Sequence, residues 1–176
     1  MKILLHTCCA PCASHCAWEL LDQGHDVTLF FSNANLAPQD EWQRRLDAVQ
    51  ILAHDYAIPL LLDEPSHAEW LSQVATGFEQ EPERGKRCER CFRFSLARSY
   101  EAVQTKGFDA FTTSLTVSPH KSSALIFQVG RTLSEQRFLA MDFKKQNGFK
   151  HSLALSEKLG LYRQSYCGCE FSVRHA

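Results

Sequence analysis

The sequence lacks a charge excess. Nineteen Lys and Arg stand against twenty Asp and Glu, a formal net charge of −1 over 176 residues. That balance excludes a general nucleic-acid coat but leaves room for a local basic face. No stretch approaches the roughly 18 apolar residues of a membrane span. The apolar start, Ile3-Leu4-Leu5, stops at His6, far short of a secretory core, and no Ala-x-Ala site follows. The expected location is therefore the cytosol. There is no GxGxxG and no SGGxDS-like phosphate loop, so neither a bound nicotinamide nor ATP is expected, and electrons must come from an external donor. No linker, repeat or low-complexity segment divides the chain, which reads as one domain over residues 1–176.

Cysteine is what the chain has in quantity. Its eight cysteines fall in three groups: Cys8, Cys9, Cys12 and Cys16; Cys88 and Cys91; Cys167 and Cys169. In a reducing compartment, clustered cysteines point to metal or catalysis rather than to a disulfide framework. Cys8 and Cys9 sit on a strand-to-helix turn, where backbone amides and the helix dipole favour a thiolate. Cys12 and Cys16, four apart on the helix, also fit small core side chains. Cys88 and Cys91 share one face of a helical first turn, a spacing that suits zinc, iron–sulfur and thiol–disulfide chemistry alike. With Cys8 and Cys9 they complete a set of four thiolates. Cys167-Gly168-Cys169 is different, because a disulfide across a single residue is strained and easily reduced. The pair suits a cycling redox role, or two ligands of a second metal.

Alternating apolar runs and helical periodicities give the fold class. Strands are expected at Lys2 to His6, Asp26 to Phe31, Pro59 to Leu62, Phe108 to Thr113 and Phe138 to Met141. Helices are expected from about Pro11 to Leu21, 39 to 56, His67 to Ala75, Cys88 to Lys106, Ser122 to Leu133 and Ser152 to Leu159. The order implies an α/β domain with a five-stranded, doubly wound parallel sheet. Ligands of such sheets bind beyond the carboxyl ends of the strands, where strand order reverses, and Cys8, Cys9 and the segment Thr112 to Lys121 lie there. In that segment His120 is a candidate acid and Lys121 a candidate phosphate contact, although a capped helix start explains the hydroxyls equally well. Arg84, Lys86, Arg87, Arg90 and Arg93, interleaved with Phe92 and Phe94, form a basic run that suits a polyanionic substrate or a solvated face. Asp142 is a candidate metal ligand, helix cap or lysine partner.

LLHTCCAPC, CERCF, TTSLTVSPHKS, MDFKK and YRQSYCGCEFS together resemble the QueH type of epoxyqueuosine reductase, over nearly the whole chain. The resemblance implies the last step of queuosine synthesis, in which epoxyqueuosine at the wobble position of tRNA loses its epoxide oxygen. It implies a cobalamin-independent enzyme with a [4Fe–4S] cluster on Cys8, Cys9, Cys88 and Cys91, and a fold like the nucleotide α-hydrolases. Cys167 and Cys169 become the redox-active pair. If a second iron is present instead, its ligands come from Cys167, Cys169 or Cys12, with Asp142 as carboxylate. The reaction takes two electrons and two protons, and His120 or Tyr166 is a candidate proton donor. Two rival readings are a zinc-stabilised tRNA-binding module, which leaves the CGC tail unexplained, and a cytosolic dithiol–disulfide oxidoreductase. Brown colour after anaerobic purification separates iron–sulfur from both.

Overall fold

A computed structural model describes residues 1–63 and 65–173. Strands β1 (Lys2–His6), β2 (Asp26–Ser32), β3 (Leu60–Asp63) and β4 (Ala110–Thr113) form one parallel sheet in the order β3-β2-β1-β4. The helices are α1 (Ala10–Asp22), α2 (Gln39–Asp55), α3 (His67–Trp70), α4 (Lys86–Lys106), α5 (Ser123–Leu133) and α6 (Gly148–Lys158). Successive side chains of β1 go to opposite faces. Ile3 and Leu5 join a core with Ala13, Ala17, Val49 and Leu52 of α1 and α2. Leu4 joins a second core with Leu96, Val103, Ile126 and Val129 of α4 and α5. The sheet is therefore covered on both sides, which is why its strands are almost continuously apolar.

The sheet has four strands where five were expected. Phe138 makes one isolated parallel bridge to Phe111 and no ladder follows. Beyond it, the Met141 N–H turns back onto Leu139 O, and Leu139 O is also taken by the Thr112 hydroxyl. The segment is held to β4 by two backbone hydrogen bonds about Phe111, to Arg137 O and from Leu139 N–H, and by the Thr112 side chain, and the pairing goes no further. Two helices also start earlier than their periodicity suggests, α4 at Lys86 and α6 at Gly148. The segment from His67 is α-helical only to Trp70 and continues as a π-turn over Leu71–Ala75. Gly148 lets α6 approach α1 closely, since a Cβ there would lie 1.8 Å from Phe143 O and 2.4 Å from His15 Nε2.

Strand order reverses between β1 and β4, and the crevice beyond their carboxyl ends is the place where such sheets bind ligands. Cys8 follows β1 and Ser114 follows β4 at this point. Among the described residues no helix is long and apolar enough to cross a membrane.

Candidate active site

The site grows out of the β1–α1 turn. Cys9 has an extended backbone at the position before α1, and Pro11 stands in the first turn, where its missing N–H costs nothing. Cys8 therefore points back over the sheet edge, where its N–H donates to Ser114 Oγ (3.2 Å) and its sulfur lies 3.4 Å from the same oxygen. The sulfurs of Cys8, Cys9 and Cys12 all lie within 4.8 Å of one another, the one such His, Cys or carboxylate group among the described residues. Cys16 lies a turn deeper, fully buried in the core, its thiol donating to Cys12 O.

Three thiols this close cannot ionise independently. Hydrogen bonds from Cys12 and Cys9, the charge of Lys121 and the Ser114 contact hold Cys8 well below the usual thiol range, against burial. For Cys9 the bond from Cys12 favours the thiolate, but the bond to Cys8, burial and the Cys8 charge outweigh it and push the group up to about 12. Its bonds to Cys8 and Cys9, together with burial, push Cys12 up as well. Of the three, Cys8 is the one favoured as thiolate, and a bound cation would favour ionisation of the others. Burial alone would lower the pKa of Lys121. The surrounding sulfurs of Cys167, Cys8, Cys12 and Cys9 reverse that effect and keep its ammonium charged.

A cavity of about 350 Å³ opens beside the trio, and its lining includes Cys8, Cys12, Lys121, Cys91 and Cys167. Cys88 and Cys91 occupy the first turns of α4. Cys88 sulfur accepts the Arg84 N–H (3.2 Å), and Cys91 packs with Cys169, Trp70 and Phe171. Burial raises both thiols, and both sense the charges of Cys167 and Cys169. None of the eight cysteines is paired in a disulfide.

The Cys167-Gly168-Cys169 turn is fastened to α2. Arg45, buried and paired with the equally buried Glu41 (2.7 Å), donates to Cys167 O (2.9 Å) and Tyr166 O (3.1 Å). Its guanidinium lies over the Tyr166 ring, 5.5 Å from the centroid, and the Tyr162 hydroxyl donates to the other Glu41 oxygen (2.7 Å). Gly168 takes a φ of +137°, and a Cβ there would meet Leu36 at 2.4 Å. The turn presents Cys167 to the cavity, while Cys169 is buried with its thiol donating to Ser172.

Other candidates from the sequence separate into two sets. His120 and Arg84 stand at the cavity mouth, 3.5 Å apart, and Lys86 and Arg93 are exposed. Arg87 is not a surface cation. It is 2% exposed, donates to the carbonyls of Phe78, Glu79 and Glu81, and lies over Phe171. Arg90 is similarly engaged with the carbonyls of Val74 and Gln73. Tyr166 lines the cavity, but its hydroxyl donates to Ala37 O. Asp142 accepts from Ser123 Oγ at 2.8 Å and lies 3.9 Å from Lys144, away from the cysteines' cavity. Thr112, Thr113 and Thr116 are buried and bonded within the fold, so of the hydroxyl-rich segment it is Ser114 that touches a cysteine.

Five further residues take part in the site. In the sequence Ser114 is one of several hydroxyls between Thr112 and Lys121. His6 is buried at the end of β1, and its two ring nitrogens face Thr113 Oγ1 (2.9 Å) and Ser32 O (3.3 Å). Burial lowers its pKa, so the ring is neutral. The Glu41–Arg45 pair had a sequence signal in its i,i+4 spacing. Gln164, whose side chain reaches Cys9, lies in the segment Tyr162 to Tyr166 beside the CGC turn, whose composition suits a contact surface, but nothing in the spacing singles it out.

The chain matches the family described as "Epoxyqueuosine reductase QueH" over residues 3–175. It belongs to the QueH family. Epoxyqueuosine reductase QueH of Streptococcus pyogenes serotype M1 is 37% identical over 182 residues, covering 98% of this chain and 71% of that protein. Its namesake from Thermotoga maritima is 33% identical over 177 residues, covering 97% and 90%. As a QueH protein this chain is an oxidoreductase of queuosine biosynthesis, an epoxyqueuosine reductase whose substrate is tRNA. The fold is shared with the U34-tRNA thiolase NcsA of Methanococcus maripaludis, solved with its [4Fe-4S] cluster, at a TM-score of 0.60 and 12% identity. That similarity covers 99% of this chain, which spans 62% of the thiolase chain.

Proposed function

We propose that the QueH chain carries out its reduction with a [4Fe–4S] cluster held by Cys8, Cys9, Cys88 and Cys91, and with Cys167 and Cys169 as a dithiol that is oxidised as the epoxide is reduced. The carrying observation is the single cavity at the β1/β4 switch point, which joins Cys8 and Cys12 to Cys91 and Cys167 with one ammonium beside them. The donor set fits the group. It is all sulfur, Cys8 and Cys9 lie within 4.8 Å of each other, and the Arg84 N–H reaches Cys88 sulfur while Ser114 Oγ lies 3.4 Å from Cys8 sulfur. The cluster, when bound, would supply electrons one at a time.

The chain's own residues divide the remaining work. The cavity has room for a nucleoside-sized group turned out of the anticodon loop, as enzymes acting on a base require. Lys121 supplies a fixed positive charge where the C–O bond breaks and negative charge grows on oxygen. Electrons balance on the thiols. Cys167 and Cys169 lose two electrons and two protons on forming an S–S bond, while the epoxide takes two of each, loses its oxygen as water and leaves an alkene. An external donor then restores the dithiol. His120 at the mouth suits proton delivery better than Tyr166, whose hydroxyl proton is held by Ala37 O. Arg84 and Lys86 carry the exposed charge suited to anticodon-arm phosphates.

Cys12 lies within the tight sulfur group and Cys88 does not, so a second arrangement has its own support: Cys12 in place of one α4 cysteine, or Cys12 on a second iron. Metal analysis of single Ser variants after anaerobic loading decides. The proposed set predicts loss of most iron and sulfide in Cys8→Ser, Cys9→Ser, Cys88→Ser and Cys91→Ser, with full iron and sulfide in Cys12→Ser. Loss of the cluster in Cys12→Ser and retention in Cys88→Ser would replace the set. Loss of about one iron with constant sulfide in Cys12→Ser or Cys169→Ser would reveal a second iron.

A further inference from the structure

Gln164 lies between α6 and the Cys167-Gly168-Cys169 turn and lines the same cavity as Cys8, Cys12 and Cys167. Its side-chain Nε2 donates to Cys9 sulfur over 2.9 Å. Its Oε1 is buried and has no hydrogen-bond partner among the described residues. An unmatched buried acceptor is destabilising, and folded proteins keep few of them. One held in a cavity wall is satisfied when a ligand brings the donor.

Several neighbouring polar groups are already engaged. The Asn33 amide N–H is given to Thr7 O, the Tyr166 hydroxyl to Ala37 O, and Ser114 faces Cys8. Lys121 is a cation and accepts nothing. Of the buried side-chain polar atoms without a partner among the described residues, the Gln164 oxygen is the one whose residue lines this cavity.

We infer that Gln164 contacts the substrate, accepting a hydrogen bond from an O–H or N–H on the ring that carries the epoxide, while its amide N–H holds Cys9 sulfur at the other end. The inference rests on the reductase reading above for the identity of the ring. Two consequences follow from one side chain. A site built to accept a hydrogen bond discriminates against a ligand lacking the donor, because the buried acceptor is then stranded. A hydrogen bond donated to a ligating sulfur stabilises the more negative, reduced state of an iron–sulfur centre and so raises its potential.

The test uses iron-loaded wild type and iron-loaded Gln164→Met, which keeps the length and removes both polar ends. Equilibrium binding is measured for tRNA carrying epoxyqueuosine and for the same tRNA unmodified, alongside iron and sulfide content and the midpoint potential. Wild type should prefer the modified tRNA. The variant should lose about tenfold of that preference, roughly one stranded hydrogen bond. Its affinity for unmodified tRNA and its iron and sulfide should stay unchanged, and its potential should shift to more negative values. An unchanged preference in iron-replete variant overturns the substrate contact, and an unchanged potential overturns the tie to Cys9. If the methionine variant does not keep its iron, Gln164→Asn replaces it. The shorter amide should also lose the preference while keeping iron, and a wild-type preference in it overturns the contact. A wild type that neither prefers modified tRNA nor turns it over contradicts the reductase reading itself, a result distinct from a variant that merely matches wild type.

Discussion

Gly168 is the residue on which the tail depends. At a φ of +137° it holds a conformation that L side chains rarely adopt, and any Cβ would collide with Leu36 and crowd Arg45. The backbone cost alone is about 1–3 kcal/mol. Gly168→Ala should therefore turn Cys167 away from the cavity and lower single-turnover reduction at least tenfold, with the far-ultraviolet circular dichroism unchanged. Wild-type turnover in that variant would show that the turn tolerates another geometry. This glycine was legible in the sequence, since one residue between two cysteines demands an unusual backbone. The cysteines were legible for a similar reason, because their spacing is chemical information. Gln164 was not, because an amide placed against a sulfur by a chain reversal leaves no periodicity to read. Arg87 misled in the opposite direction. Its neighbours Arg84 and Lys86 are exposed, but the loop before α4 folds its carbonyls over this one guanidinium and buries it.

At the scale of elements, α2 positions the redox turn through a buried charge pair. Truncating one partner of such a pair strands the other, at a cost of about 3–5 kcal/mol. Arg45→Met leaves the Glu41 carboxylate buried and the carbonyls of Tyr166 and Cys167 without their donors. Its unfolding midpoint should fall by several degrees. In Glu41→Gln/Arg45→Met the fall should be smaller than the sum of the two single effects, as for groups in one network. Additive losses in a thermal melt would show that the pair does not act as a unit. The elements themselves were mostly readable from periodicity: β1, β2, α1, α2 and α5 are where the apolar pattern puts them. The segment from Phe138 shows the limit of that method. Its residues have strand composition, yet a chain turn at Met141 and the Thr112 side chain end the pairing after one bridge, and both are tertiary events.

For the whole molecule, the near-zero net charge makes tRNA binding depend on a few placed cations rather than on a general field. Arg84 stands at the cavity mouth and Lys86 is exposed beside it, whereas Arg87 is internal. Arg84→Ala/Lys86→Ala should weaken tRNA binding and reduce the salt slope by about two ion releases, leaving iron content unchanged. An unchanged slope between two salt concentrations would move the phosphate contacts elsewhere, with Arg163 and Lys121 on the same cavity the next to test.

The central claim is that one cavity reduces the epoxide with electrons from Cys167 and Cys169. A single anaerobic turnover tests it most directly: iron-loaded protein with its thiols reduced, tRNA carrying epoxyqueuosine, and no external donor or cobalamin. Nucleoside analysis and a thiol count are made on the same sample. The account predicts up to one queuosine formed per chain, with two thiols lost for each, both assigned to Cys167 and Cys169 by peptide mapping. Queuosine formed with all eight thiols retained, or no queuosine from a chain with full iron and sulfide, would contradict it.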